Sequence, residues 1–220
     1  MNIIILIIAL TCIASFAAPA GSPNFEKFKF NVGAVKYSKE YVRLLSAGFL
    51  HADFIHLALN MYVLYMFGPY VLEAFGLVGF LLIYIGSILV GNLFSLLIYQ
   101  NQGWYSAIGA SGGVAGIIFA GVSLDPNVIR IGIIFLPSDF ALPGYIFGLL
   151  YFGYSVYSML NPRSNDNIGH AAHLGGAFFG LVYSVAIFPQ LAMDNALYLF
   201  IMSLPLLYLA FEIFVRKKIG

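Results

Sequence analysis

Seven apolar runs, each near the length a helix needs to cross a bilayer, occupy 2–20, 54–74, 77–99, 108–124, 143–160, 168–188 and 195–215. A spanning helix takes roughly 20 mostly apolar residues. Hydrocarbon offers no partner for backbone N–H and C=O groups, so only helices and closed barrels span it. These runs are continuous and lack the period-two alternation of membrane strands, which predicts helices. Composition agrees: 61% of the 220 residues are hydrophobic and 9% charged, with a mean hydropathy of +0.93, well outside the range of a soluble domain. The expectation is an all-α polytopic membrane protein, with 1–220 forming a single membrane domain. The fourth run is short and glycine-rich, and the start of the fifth is blurred by the apolar "IGIIFLP" from Ile131 to Pro137.

A net charge of +1 provides no basic surface for nucleic acid, so no nucleic-acid partner is expected. Partners are to be sought within the lipid bilayer. Cys12, the single cysteine, cannot form an internal disulfide. At the end of the first run "ASFAAPAG" resembles a small-residue cleavage site, yet no basic residue precedes "IIILIIAL" as a secretory leader requires. The expectation is a retained first span over 2–20. The long polar connection from Gly21 to Ala52 mixes lysines with spaced aromatics. It suits either a segment lying on the membrane surface or a solvated loop.

Ionisable side chains within spans are costly and face a bundle interior or a wet cavity. All four histidines fall at the starts of two runs, in "HADFIHLALN" (His51, His56, with Asn60) and "GHAAH" (His170, His173). On a helix His56 and Asn60 share one face, as do His170 and His173. A purely structural role, hydrogen bonding between helices, is worth about 0.6 kcal/mol on average in membranes. Four histidines and an asparagine at two span mouths, with Ser111 at a third, weaken that reading.

Zinc is one alternative, since histidines three or four apart on a helix are good ligands. But no HExxH occurs, and the acid beside them, Asp53, lies off the His56–Asn60 face; no metal is expected. Serine chemistry fits better, because a hydroxyl becomes a nucleophile when a neighbouring neutral His accepts its proton. Ser111 and His173 supply those parts. The nearest acid in sequence is Asp166, in a connection before the sixth run, so a dyad is the economical reading. The third requirement is a set of donors for the oxyanion: backbone N–H groups at a helix start on Ser111, the His56 ring and the Asn60 amide. Small-xxx-small patterns, Gly112-x3-Gly116 and Gly176-x3-Gly180, permit close approach of the two helices. They begin at the serine and at the histidine.

These residues resemble the rhomboid family of intramembrane serine proteases. "GASG" at Gly109–Gly112 is similar to that family's GxSG, "HADFIHLALN" to its H-x4-H-x3-N, and "AHLGGAFFG" to its AHxxG-x3-G, in the same order. The likeness extends over about 41–188. It implies a six-helix core with one added C-terminal transmembrane helix at 195–215. By the same likeness Ser111 is the nucleophile and His173 the general base and acid, while His56 and Asn60 assist the Ser111 N–H at the oxyanion. Gly109 then shapes the turn, His51 is a structural or water-organising residue, and His170 packs or hydrogen-bonds. No cofactor is implied. The substrates implied are transmembrane helices of other membrane proteins, with the fifth run a candidate gate. The location implied is a cell (inner) membrane, with the site on the extracytoplasmic side.

Two departures stand out. Four residues after its nucleophile the family often has an aromatic ring against the imidazole, where this chain has Ala115. An outward site also puts Lys27, Lys29, Lys36, Lys39, Arg43, Arg163 and the terminal Arg216–Lys218 outside and only Arg130 inside, against the positive-inside tendency. A related, non-proteolytic protein that binds client helices is the alternative, although such members typically lack the serine or histidine. A transporter would show charged pairs or similar halves, and neither is present.

Overall fold

The computed structural model describes residues 3–132, 138–162 and 168–216. Most of "IGIIFLP", Arg163, Asp166 and the two terminal lysines lie outside the described residues. Helix α1 (Ile3–Ala17) is followed by three short helices, α2 (Pro23–Phe28), α3 (Val32–Lys36) and α4 (Arg43–Ser46). The long α5 (Phe54–Ile98), α6 (Ser111–Val122), α7 (Gly144–Leu160), α8 (His170–Ile187), the short α9 (Pro189–Asp194) and α10 (Ala196–Phe214) complete the helices. Two tiny antiparallel pairs accompany them: β1 (Phe30–Asn31) with β2 (Ser106–Ala107), and β3 (Arg130–Ile131) with β4 (Leu142–Pro143).

Among the described residues, α5, α8 and α10 are long and apolar enough to cross a membrane. Helix α5 covers two of the apolar runs and breaks at Gly76, whose φ of +68° is not helical. Its first half starts beside His51, which meets the His56 ring, and its second half passes Gly48 at Ile88; the halves therefore run back along each other. Helix α6 has 12 residues, about 18 Å at 1.5 Å per residue, and is shorter than the run at 108–124 because residues 108–110 form a turn instead of helix. At that length α6 is shorter than the roughly 30 Å hydrocarbon core of a bilayer.

The centre of the molecule is the mutual packing of α5, α6 and α8. Backbone touches backbone there. A methyl group at Gly176 would overlap the Gly112 carbonyl, and one at Gly180 the Gly116 carbonyl. Only glycine fits at such a crossing, and close packing is what associates helices in lipid, where burial from water contributes nothing. Two apolar clusters flank the crossing. One joins α1, α5 and α6 around Leu64, Phe80 and Ile117; the other joins α6, α7, α8 and α10 around Phe119, Phe152 and Met202. Outward faces carry Leu59, Tyr62, Phe200, Leu204 and Leu207 exposed, as lipid contact requires.

The connection from 21 to 52 is folded, which excludes a merely solvated loop. Asn31 caps α3 through Oδ1, accepting from Ala34 N–H at 2.8 Å, while its amide donates to Gly103 O, Tyr105 O and Ser106 Oγ. Buried Arg43 donates to the carbonyls of Glu26 and Lys29 at 2.7 and 2.9 Å and pairs with Glu40. The Asn31 bonds tie the connection to the segment that leads into α6, and those of Arg43 brace it internally.

Candidate active site

Ser111 is the first residue of α6, presented by a turn that glycine alone can make. Gly109 has φ +113°, and a Cβ there would stand 2.8 Å from the His56 ring; conformation and space both exclude a side chain. The Gly109 N–H donates to Ala47 O at 2.9 Å, and the Ala110 N–H to His51 Nε2 at 3.3 Å. The turn is thus held from two sides. Because α6 starts at Ser111, the N–H groups of its first turn lack intrahelical partners and the positive end of the helix dipole points at the hydroxyl.

His173 lies in the first turn of α8, its N–H bonded to Gly169 O. Its Nε2 stands 2.6 Å from Ser111 Oγ. With the ring neutral and its proton on Nδ1, Nε2 is free to accept the serine proton, the geometry general-base activation needs. The Tyr151 ring of α7 stacks on the imidazole, with centroids 6.4 Å apart and planes 20° from parallel. An aromatic ring therefore does face His173 although position 115 is alanine: it comes from a different helix.

His56, Ser111 and His173 line one cavity of about 700 Å3, together with Asp53, Trp104 and Ser106. A narrower cleft of about 160 Å3 reaches the same pair between α5 and α7, past Asn60, Ala115 and Tyr151. Asn60 is buried and donates one amide hydrogen to His56 O, 2.9 Å away on its own helix; the amide's second hydrogen is the one a ligand could use. His51 is one step behind the cavity, its ring edge-on to His56 at 4.9 Å. His170 packs edge-on to Tyr154 at 5.4 Å and to His173 at 6.4 Å. Gly112, Gly176 and Gly180 form the helix crossing.

A third, acidic member beside His173 is not found among the described residues. Asp53 is occupied as the cap of α5, accepting the His56 N–H at 2.8 Å, and Asp166 lies outside them. No three His, Cys, Asp or Glu side chains gather closely enough to hold a metal ion among the described residues.

A helical membrane protein with a serine and a histidine joined at the starts of two tightly crossed helices is the class these features define. Residues 38–190 match the Rhomboid domain, more than half of the chain, and the chain belongs to the rhomboid family. It is similar to the presenilin-associated rhomboid-like protein, mitochondrial, of Rattus norvegicus, 31% identical over 141 residues that cover 64% of this chain and 36% of that protein. To rhomboid-like protease 3 of Toxoplasma gondii it is 30% identical, over 63% of this chain and 49% of the relative. To RHOMBOID-like protein 6, mitochondrial, of Arabidopsis thaliana it is 35% identical, over 49% and 34%. The chain thus spans about a third to a half of the length of these relatives. Two of the three are named as mitochondrial, so the expectation of a cell (inner) membrane gains no support from them; residence in a membrane rests on the apolar helices.

Two contacts of the site escape sequence reasoning. Tyr151 sits in the tyrosine-rich "PGYIFGLLYFGYSVYSML", where nothing in the spacing marks which ring meets His173. Ser15 in α1 hydrogen-bonds His51. A signal for it existed, because Thr11 and Ser15 put two hydroxyls four apart on one face of an otherwise apolar helix.

Proposed function

We propose that this chain is an intramembrane serine endopeptidase that cleaves transmembrane segments of other membrane proteins with Ser111 and His173 as its dyad. The observation that carries the reading is the 2.6 Å separation of His173 Nε2 and Ser111 Oγ at the wall of a cavity of about 700 Å3. The membership in the rhomboid family and the likeness to a relative named as a protease support it.

In this mechanism Ser111 Oγ attacks the carbonyl carbon of the scissile bond as its proton passes to His173 Nε2. The carbonyl electron pair moves onto oxygen, where the Ser111 N–H, the His56 ring and the free Asn60 amide hydrogen would meet it. Each such donor is worth on the order of 10²–10³ in turnover. Collapse of the intermediate breaks the C–N bond, and the leaving amine takes the proton from His173. Water from the cavity then attacks the acyl-enzyme, giving its proton to His173, and the carboxylic product leaves with Ser111 restored. The chemistry needs no cofactor.

A helical peptide bond is hidden in its own hydrogen bonds, so the segment must unwind before it reaches Ser111. The cleft between α5 and α7 is the lateral route this account favours, and α7 the gate. Seven crossings are proposed: α1, the two halves of α5, α6, α7, α8 and α10, the first six forming the core and α10 the addition, with the site on the extracytoplasmic side. The test is a fluorophosphonate probe, which attaches covalently to an activated serine. Labelling of the parent and not of Ser111→Ala is expected. An unlabelled parent would leave the non-proteolytic, client-binding reading instead.

A further inference from the structure

We infer that Ser15, near the end of α1, is a positioning residue: acting through His51, it fixes the turn that presents Ser111. The catalytic consequence rests on the protease reading above; the structural linkage does not. Ser15 is buried, and its Oγ makes two contacts, donating to Phe49 O at 3.0 Å and lying 3.0 Å from His51 Nδ1. A hydroxyl has one proton. With that proton on Phe49 O, the Ser15 oxygen can only accept, so the imidazole proton belongs on His51 Nδ1. That leaves Nε2 with a lone pair, which accepts the Ala110 N–H at 3.3 Å.

The relay therefore has one direction: Ala110 N–H to His51, His51 Nδ1–H to Ser15, Ser15 O–H to Phe49. The opposite tautomer would set N–H against N–H at Ala110, and a charged ring would do the same. The titratable groups facing His51 are His56 of α5 and Asp53 in the intervening turn; α1 and α6 face it with Ser15 and Ala110, both uncharged. Burial, reinforced by His56 and opposed by Asp53, keeps the ring neutral, with its pKa pushed down to about 4. Remove the Ser15 acceptor and only the long Ala110 N–H contact, at 3.3 Å, still favours the Nδ1–H tautomer. Ala110 immediately precedes the nucleophile, so any slack there moves Ser111. By this account α1 acts on the site as well as anchoring the chain.

The test uses the full chain in lipid nanodiscs, with Ser15→Ala and Ser15→Thr beside the parent. Nitrogen NMR shifts of the imidazoles report the His51 tautomer, and amide hydrogen exchange reports the Ala110 bond. In Ser15→Ala a mixed tautomer is expected, with Ala110 exchange and kcat changed by about 5- to 10-fold, the worth of one hydrogen bond, and KM unmoved. Ser15→Thr, which keeps the hydroxyl, should restore all three. If Ser15→Ala fails to fold, Ser15→Cys gives the same readouts, since a thiol is the weaker acceptor. A pure Nδ1–H tautomer and parental Ala110 exchange in the hydroxyl-free variant overturn the inference. A parent that cleaves nothing counts against the protease reading alone, because tautomer and exchange still decide the role of Ser15.

Discussion

Gly176 and Gly112 face each other so closely that a methyl group on the first would overlap the carbonyl of the second. Three residues before Gly176 stands His173, and one before Gly112 stands Ser111. The contact of two glycines thus sets the spacing of the proposed dyad, whose partners are 62 residues apart in the chain.

Substitution of Gly176 by Ala is therefore expected to do two things. Overpacking costs about 1–3 kcal/mol, and the helices must part, lengthening the Ser111–His173 bond. A lower thermal unfolding midpoint in detergent and reduced probe labelling of Ser111 are expected. Gly132→Ala, at a position with nothing within 4 Å of a new Cβ, is the control and should match the parent. Equal midpoints for the two variants would contradict the close crossing.

Tyr151 is expected to steady the His173 ring. A ring pair is worth about 0.5–1.5 kcal/mol beyond buried area, equivalent to roughly 2- to 13-fold in rate. Tyr151→Phe should keep kcat, and Tyr151→Leu should lower it by that factor. The check is kcat and KM on a reporter substrate; loss in Tyr151→Phe as large as in Tyr151→Leu would assign the effect to the hydroxyl and not to the stack.

Stability should fall on the acid side through His51. Its pKa in the folded chain, about 4, lies below the ordinary value of 6.5, so the unfolded chain binds the proton more readily. That contribution is present above pH 6.5 and is lost progressively as the pH falls to about 4. Each pH unit between the two values is worth about 1.4 kcal/mol, a total on the order of 3 kcal/mol. Unfolding midpoints measured from pH 7.5 to 4 should drop more steeply in the parent than in His51→Gln. Parallel curves would refute the assignment.

Ser111→Ala and His173→Ala should each keep the parental fold and reduce turnover to a similar floor, because members of a catalytic unit are not additive. Circular dichroism and cleavage rates check this together, and full activity in either purified variant would end the dyad.

Much of the architecture was legible because lipid makes helix formation obligatory: apolar runs of about 20 residues announce α5, α8 and α10 whatever their neighbours. Ser111 and His173 were legible because polar groups are rare in such runs and each heads a glycine pattern. The folded state of 21–52 was hidden, since it depends on Asn31 and Arg43 finding backbone carbonyls distant in sequence. So was the Tyr151 ring. Its contact crosses from α7 to α8, and helical periodicity records which face a residue occupies, never which helix it meets. The break of α5 at Gly76 fell between two runs, where a glycine is unremarkable until its φ is known.

The most direct test of the account is cleavage by the purified chain in liposomes containing a single-span reporter protein, run beside Ser111→Ala. Cleavage within or at the edge of the reporter's span by the parent, and none by Ser111→Ala, is the expected result. Equal cleavage by both, or none by a folded parent across several reporter spans, would contradict it.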